Sequence, residues 1–167
     1  MYMEKFYNSH FIENEETVEY FSNLLDALQK DPKKYRDVTN HCLSSNCFAS
    51  NNLLHLIKDD VFLKNTNFLL EESQKYVLNK VEYFYIHMIN YENGGDMLIH
   101  KHDHNEDYSF IFYLNDCIDG FTTLYLDRPI RIMPQRGKMV IFSSDIYHSG
   151  SFSKNKKIFV GGLKVKS

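Results

Sequence analysis

The spacing of apolar residues changes near residue 80 of this 167-residue chain, and that change limits the folds it can adopt. Before residue 80, apolar side chains recur at helical spacing from Glu13 to Lys30 and from about Asn65 to Asn79, which predicts two amphipathic helices. The polar segment 36–60 is expected to be a loop with short helical turns. Beyond residue 80 the period is two, and runs rich in aromatic and β-branched residues predict strands at 83–91, 108–114, 121–126, 138–143 and 157–165.

The close succession of these strands determines how they can pair. Strands with no helices between them cannot form parallel βαβ units, so we predict an antiparallel sandwich, barrel or jelly roll. The glycines support a helical first half and a strand-rich second half, because all seven lie at or after Gly94, where tight turns must connect the strands. A length of 167 residues corresponds to about one domain. We predict a single α+β domain over residues 1–167, with 1–80 as helical support and 81–167 as the β core.

Composition argues against several classes of protein. With 43% hydrophobic residues and a formal net charge of -3, the chain is typical of a globular protein, which disfavours disorder and disfavours nucleic acid as a partner. Cys42, Cys47 and Cys117 form no CxxC pair, which argues against a disulfide framework and a structural zinc site. No apolar run approaches the roughly 18 residues of a membrane span, and no signal-peptide pattern is present. We therefore expect a cytoplasmic protein without a membrane partner.

Four histidines, His100, His102, His104 and His148, lie at or beside predicted strand ends. Residues i and i+2 of a strand point to the same side, so His100 and His102 would direct two imidazoles at one point. A third ligand from a neighbouring strand, His148, would complete a facial set of three and leave open coordination positions for substrate and oxygen. Equally, HKHDHNED could be a solvated polar loop and His148 a turn residue, and spacing alone does not decide between the two interpretations.

The residues around the histidines follow a recognisable order. Tyr91 and a Gly-Gly turn precede His100, and a Tyr113-Leu114-Asn115 segment is followed by a glycine and a strand. The strand at 138–143 precedes His148, and Lys157 follows nine residues later at the start of another strand. This order resembles the Fe(II)/2-oxoglutarate-dependent oxygenases, in the prolyl 4-hydroxylase-like branch, over about residues 81–165.

The resemblance implies a fold, a chemistry and a set of roles. The fold is a double-stranded β-helix (jelly roll), and the activity is a hydroxylation coupled to decarboxylation of 2-oxoglutarate, with molecular oxygen as co-substrate and ascorbate as an optional accessory reductant. The substrate would be a prolyl or other peptide side chain, or a small molecule. Lys157 would bind the distal carboxylate of 2-oxoglutarate, with Lys156 taking this role if the register slips by one. Tyr113 would donate a hydrogen bond to the same carboxylate, and Tyr91 is a further candidate cofactor-binding residue.

The sequence departs from the usual pattern at the second metal ligand. The family carries His-x-Asp or His-x-Glu, whereas here His102 stands where the carboxylate belongs. Asp103 lies one position out of phase, and His104 with Glu106 fits the motif in a shifted register. We expect iron to be held by His100, His102 and His148, with the His104–Glu106 pair as the main competitor. Three neutral histidines would leave iron with bound 2-oxoglutarate at net charge zero instead of -1.

Two other functions remain open at this point. The chain could be a non-catalytic jelly-roll binding module, a degenerate oxygenase that has lost its carboxylate ligand. It could also be a cupin-like dioxygenase with three histidine ligands that needs no keto acid, in which case its activity would survive Lys157→Ala. The loops that would select the substrate, 36–60 and 92–108, carry no recognisable code.

Overall fold

The structure, a computed structural model, describes residues 5–40, 42–102 and 105–167. Within these residues the helices are α1 (Glu15–Gln29), α2 (Pro32–Tyr35) and α3 (Asp60–Gln74). The strands are β1 (Tyr7–Phe11), β2 (Phe48–Ala49), β3 (Val81–Asn90), β4 (Gly95–His100), β5 (Tyr108–Tyr113), β6 (Thr122–Tyr125), β7 (Ile130–Ile132), β8 (Lys138–Ser143), β9 (Tyr147–Ser153) and β10 (Lys157–Val165).

Both predicted long helices exist, and side-chain caps determine where they begin. The Asn14 side chain accepts a hydrogen bond from the Thr17 amide at 3.0 Å and starts α1 close to its predicted position. The Asp59 side chain accepts a hydrogen bond from the Phe62 amide at 2.8 Å and caps α3. The helix therefore begins at Asp60, about five residues before the predicted start, and overlaps most of the predicted segment. No helix in the described part of the chain is long and apolar enough to cross a membrane.

The strands form two antiparallel sheets that pack face to face. The larger sheet has the order β1-β8-β5-β10-β3-β2 and the smaller sheet the order β4-β9-β6-β7. This arrangement confirms the predicted α+β fold with a jelly-roll core. The segment 1–80 also contributes two strands that were not predicted, because β1 pairs with β8 and β2 with β3 at the edges of the larger sheet.

The larger sheet is buried on both faces, and alternation along its strands separates two cores. On β5, Phe110 and Phe112 pack with α1 and α3, whereas Ile111 and Tyr113 point between the two sheets. The core under the helices includes Phe21 of α1, whose ring lies 4.3 Å from that of Phe159 on β10. The space between the sheets is therefore lined by every second residue of the larger sheet, and the candidate site lies in that space.

Candidate metal centre

Three of the predicted ligands come together at one end of the space between the sheets. His100 ends β4 and is the antiparallel partner of His148 on β9, with ring centroids 4.2 Å apart. His102 follows two residues after His100, and its ring lies 4.9 Å from that of His100 and 5.3 Å from that of His148. One ring nitrogen from each histidine lies within 4.8 Å of the other two, so the three side chains can hold one metal ion.

The Nδ1 atoms of the three rings are engaged by neighbouring groups. Nδ1 of His100 lies 2.8 Å from the Leu98 carbonyl oxygen, and Nδ1 of His148 lies 3.0 Å from the Ile146 carbonyl oxygen. A carbonyl oxygen only accepts hydrogen bonds, so both rings carry their proton on Nδ1 and present the lone pair of Nε2. Nδ1 of His102 faces the Glu106 carboxylate, with Oε1 at 3.3 Å. This orientation is typical of metal-binding histidines.

Burial keeps the imidazoles in the neutral form that binds metal. His148 is 7% exposed, and its pKa is lowered to about 3, first by burial and then by the neighbouring His100. Burial also lowers the pKa of His100. Imidazole nitrogens bind Fe(II) as well as other divalent transition metals, and three of them on one side of an ion leave coordination positions for other ligands. The donor set therefore fits the iron that the sequence resemblance implies.

A cavity of about 280 Å³ extends from the three histidines into the space between the sheets. Its walls are mostly apolar, and Lys156 contributes a buried cation. The apolar part of the lining includes Met97, Ile111, Phe142, Ile158 and Val160.

Lys156 is held inside the protein by specific contacts. Its side chain is 1% exposed, and Nζ donates a hydrogen bond to the Gly120 carbonyl oxygen at 3.0 Å. The same Nζ lies 4.2 Å from the centroid of the Tyr91 ring, within cation–π distance. Burial lowers the pKa of this ammonium group to about 8. Tyr91, a predicted cofactor-binding residue, also lines the cavity, beside Lys156.

Lys157, the lysine favoured from the sequence, lies on the other face of the sheet. Its Nζ is 3.0 Å from a carboxylate oxygen of Asp26 on α1. Ile158 and Val160 line the cavity, and alternation places Lys156 on their side and Lys157 opposite. Lys157 therefore lies away from the cavity, and the alternative from the sequence, Lys156, is the lysine that lines it.

Tyr113 is fully buried next to the cavity without lining it. Its hydroxyl donates a hydrogen bond to Oγ1 of Thr122 at 2.6 Å, and Thr122 lines the cavity. In the structure the Tyr113 hydroxyl therefore donates to Thr122, whereas its predicted acceptor was the distal carboxylate of 2-oxoglutarate. Thr122 was not predicted as a site residue because a threonine is ordinary in a strand. The available signal was its place on β6, on the same face as Leu124.

The competing second ligands do not replace His102 in the described cluster. Glu106 lies on the Nδ1 side of the His102 ring and is not part of the group of three ligand atoms. Burial raises its pKa to about 7, and hydrogen bonds from Ser109 and Tyr85 oppose the rise. Asp103 and His104 lie outside the described residues.

Comparison with known proteins supports the fold strongly. No family model matches the chain, and no curated protein matches it in sequence. Among solved structures, a prolyl-4-hydroxylase from Pseudomonas putida is 15% identical, with a TM-score of 0.69 over 98% of this chain and 92% of that one. HygX from Streptomyces hygroscopicus, with nickel and 2-oxoglutarate bound, is 10% identical, with a TM-score of 0.71 over 96% and 83%.

A third similar structure is a prolyl hydroxylase from Trichoplax adhaerens in complex with a hypoxia inducible factor peptide. It is 13% identical, with a TM-score of 0.66 over 95% of this chain and 83% of that one. The fold is therefore that of 2-oxoglutarate- and iron-dependent oxygenases. Within that class the chain is structurally similar to prolyl hydroxylases, so the resemblance predicted from the sequence is confirmed at the level of fold.

The hydrogen bond between Tyr113 and Thr122 yields a prediction for stability. Thr122→Val leaves the buried Tyr113 hydroxyl without its acceptor, and we expect a loss of about 1–3 kcal/mol in the free energy of unfolding, measured by urea denaturation. Thr122→Ser keeps the hydroxyl and should lose less. Tyr113→Phe combined with Thr122→Val removes both partners, so its loss should be smaller than the sum of the single losses. Strictly additive losses would contradict this assignment.

Proposed function

We propose that this protein is an Fe(II)- and 2-oxoglutarate-dependent oxygenase, a single domain over residues 1–167, with His100, His102 and His148 as the iron ligands. The observation that carries the proposal is the presence of the three histidines and the buried Lys156 on the walls of one cavity. Bound iron with 2-oxoglutarate would couple decarboxylation of the keto acid by molecular oxygen to hydroxylation of a substrate C–H bond. The sequence resemblance adds ascorbate as an optional reductant.

Lys156 is proposed to bind the distal carboxylate of 2-oxoglutarate. An ammonium group has three N–H donors, and one of them is already committed to the Gly120 carbonyl oxygen. The others are available for a carboxylate, and a charge-assisted hydrogen bond of this kind contributes about 1.5–3 kcal/mol. The Tyr91 ring below Nζ fixes the direction of the side chain. Thr122, with its hydroxyl oriented by Tyr113, is a second polar group on the same wall.

The apolar walls have a role of their own. Ile111, Phe142 and Ile158 belong to the core between the sheets and surround the cavity. They exclude water from the carboxylate–ammonium pair, which strengthens that interaction. They also leave room for a flat keto acid between the histidines and Lys156.

The substrate is proposed to be a peptide side chain, with proline as the first candidate. The Trichoplax prolyl hydroxylase in complex with a peptide supports this class, and HygX in complex with hygromycin B supports a small molecule as the second. Leu98 and Ile99, beside the first histidine on β4, are 60% and 56% exposed and offer apolar contacts to a peptide. A location in the cytoplasm stays a prediction from the sequence.

Anaerobic loading with Fe(II) and 2-oxoglutarate tests the proposal directly. We expect a weak visible charge-transfer band, followed by release of succinate when oxygen is admitted. His148→Ala and His100→Ala should lose both signals, and thermal melting of each variant will establish that it is folded. Absence of band and succinate in the wild type would leave a non-catalytic jelly-roll module. Oxygen consumption that needs no keto acid would instead indicate a cupin-like three-histidine dioxygenase.

Substitution of the two adjacent lysines separates their roles. Lys156→Met removes the cation of the cavity, so the Kd of 2-oxoglutarate for the Ni(II)-loaded protein should rise on the order of 10- to 100-fold by calorimetry. Lys157→Met is the matched control, since Lys157 pairs with Asp26 on the opposite face, and its Kd should stay within about twofold of wild type. The reverse ranking of the two variants would contradict the role given to Lys156.

The lowered pKa of Lys156 predicts how binding depends on pH. Binding requires the charged ammonium group, which loses its proton as the pH rises through about 8 in the free protein. The Kd of 2-oxoglutarate should therefore be constant near pH 7, rise above pH 8, and level off after the total increase of about 10- to 100-fold expected for loss of the cation. Lys157→Met should keep this profile, because Lys156 is intact in it. A flat profile up to about pH 10, close to the usual pKa of lysine, would show that the titration of Lys156 does not control binding.

A further inference from the structure

Glu106 is a buried carboxylate placed directly behind one of the three histidines. Its side chain is 2% exposed, and Oε1 lies 3.3 Å from Nδ1 of His102. Oε1 also accepts hydrogen bonds from the Ser109 hydroxyl at 2.9 Å and the Tyr85 hydroxyl at 3.3 Å. Oε2 is buried and accepts no hydrogen bond from any residue that the structure describes. Burying a carboxyl group in this way is costly, so its position calls for a functional explanation.

The backbone around Glu106 is shaped to receive it. A side chain at Gly162 on β10 would overlap Oε2 of Glu106 and the ring of Tyr85. The pairing of β10 with β3 is irregular between Gly162 and Leu163, next to this contact. Residues from β3, β5 and β10 therefore surround one carboxyl group, which distinguishes Glu106 from a solvated loop residue.

His102 differs from the other two histidines in the group that faces its Nδ1 atom. Nδ1 of His100 and of His148 faces a neutral backbone carbonyl oxygen, whereas Nδ1 of His102 lies 3.3 Å from a carboxylate oxygen of Glu106 and 3.4 Å from the Tyr85 hydroxyl that donates to the same oxygen. A carboxylate behind a metal-binding histidine holds the proton on the remote nitrogen, fixes the ring orientation and increases the basicity of the nitrogen that binds the metal. Donation by Ser109 and Tyr85 to Oε1 orients the carboxylate for this contact.

We propose that Glu106 is a positioning residue for His102: it supplies, through the imidazole ring, the negative charge that a direct carboxylate ligand supplies in the His-x-Asp pattern. This inference rests on the proposed function, which makes His102 a metal ligand. The role of Glu106 also explains why a histidine can stand at position 102. The negative charge of the usual carboxylate ligand is kept, but it lies behind the His102 ring.

The test measures metal binding without turnover. Glu106→Gln keeps the size of the side chain and an acceptor oxygen, and removes the charge; the matched control Glu82→Gln removes the same charge from an exposed position on β3. Co(II) affinity should fall about 10- to 100-fold for Glu106→Gln, with a changed visible spectrum, and stay at the wild-type value for Glu82→Gln. In a His102→Ala background, Glu106→Gln should no longer alter Co(II) affinity, whereas a purely structural role of Glu106 would keep its effect there.

The outcomes separate this inference from the proposed function. Wild-type protein that binds no Co(II) would overturn both. Wild-type protein that binds Co(II) as tightly as Glu106→Gln does would overturn only the role of Glu106. If Glu106→Gln does not fold, nuclear magnetic resonance of the Zn(II)-loaded wild type decides the question: the Nδ1 proton of His102 should resonate downfield of those of His100 and His148, and equal shifts would refute the proposal.

Discussion

The antiparallel pairing of β4 with β9 is the constraint on which the site depends. It places His100 opposite His148, and because successive side chains alternate between the faces of a strand, a slip of one residue would turn one of them out of the cavity. The turn before β4 uses Gly94 with φ of 80°, a conformation that suits glycine. On β9, Gly150 leaves room for Lys156, since a Cβ there would lie 3.1 Å from Nζ. Register and close approach thus bring the histidines and the lysine to one cavity.

Much of the fold follows from the sequence because the large sheet is made of strongly patterned strands. The predicted strands at 138–143 and 157–165 coincide with β8 and β10, which are rich in Ile, Val and Phe. Two strands that were not predicted, β4 and β9, contain glycine and polar residues. They deviate from the apolar pattern because they carry the histidines and because their glycines, Gly95 and Gly150, lie against side chains of other segments. Strand propensity is therefore weakest where the candidate site is built.

The candidate site could be predicted only in part, for a related reason. His100, His102 and His148 were predicted from their spacing and from resemblance, and the structure brings them together. The sequence did not separate Lys156 from Lys157, because β10 is apolar on both faces and the pattern does not indicate which face lines the cavity. The contact between Glu106 and His102 depends on the packing of β3, β5 and β10, and no local pattern encodes it.

The distribution of charge in the cavity links these observations. Three neutral imidazoles carry no charge, so among the residues that the structure describes the electrostatics near the cavity depend mainly on two buried groups, the Lys156 ammonium and the Glu106 carboxyl. One lines the cavity and the other lies behind a ring of the histidine cluster; Lys156 donates a hydrogen bond to the Gly120 carbonyl oxygen, and Glu106 accepts hydrogen bonds from Ser109 and Tyr85. A carboxylate ligand would attract the metal directly, whereas a carboxylate behind His102 acts through the ring and leaves three nitrogen donors.

Burial disfavours the charged forms of both Lys156 and Glu106. Each charged form is therefore stabilised when an opposite charge arrives: a carboxylate for Lys156, and a cation beside His102 for Glu106. The two buried groups therefore favour ligands of opposite charge in neighbouring parts of one site.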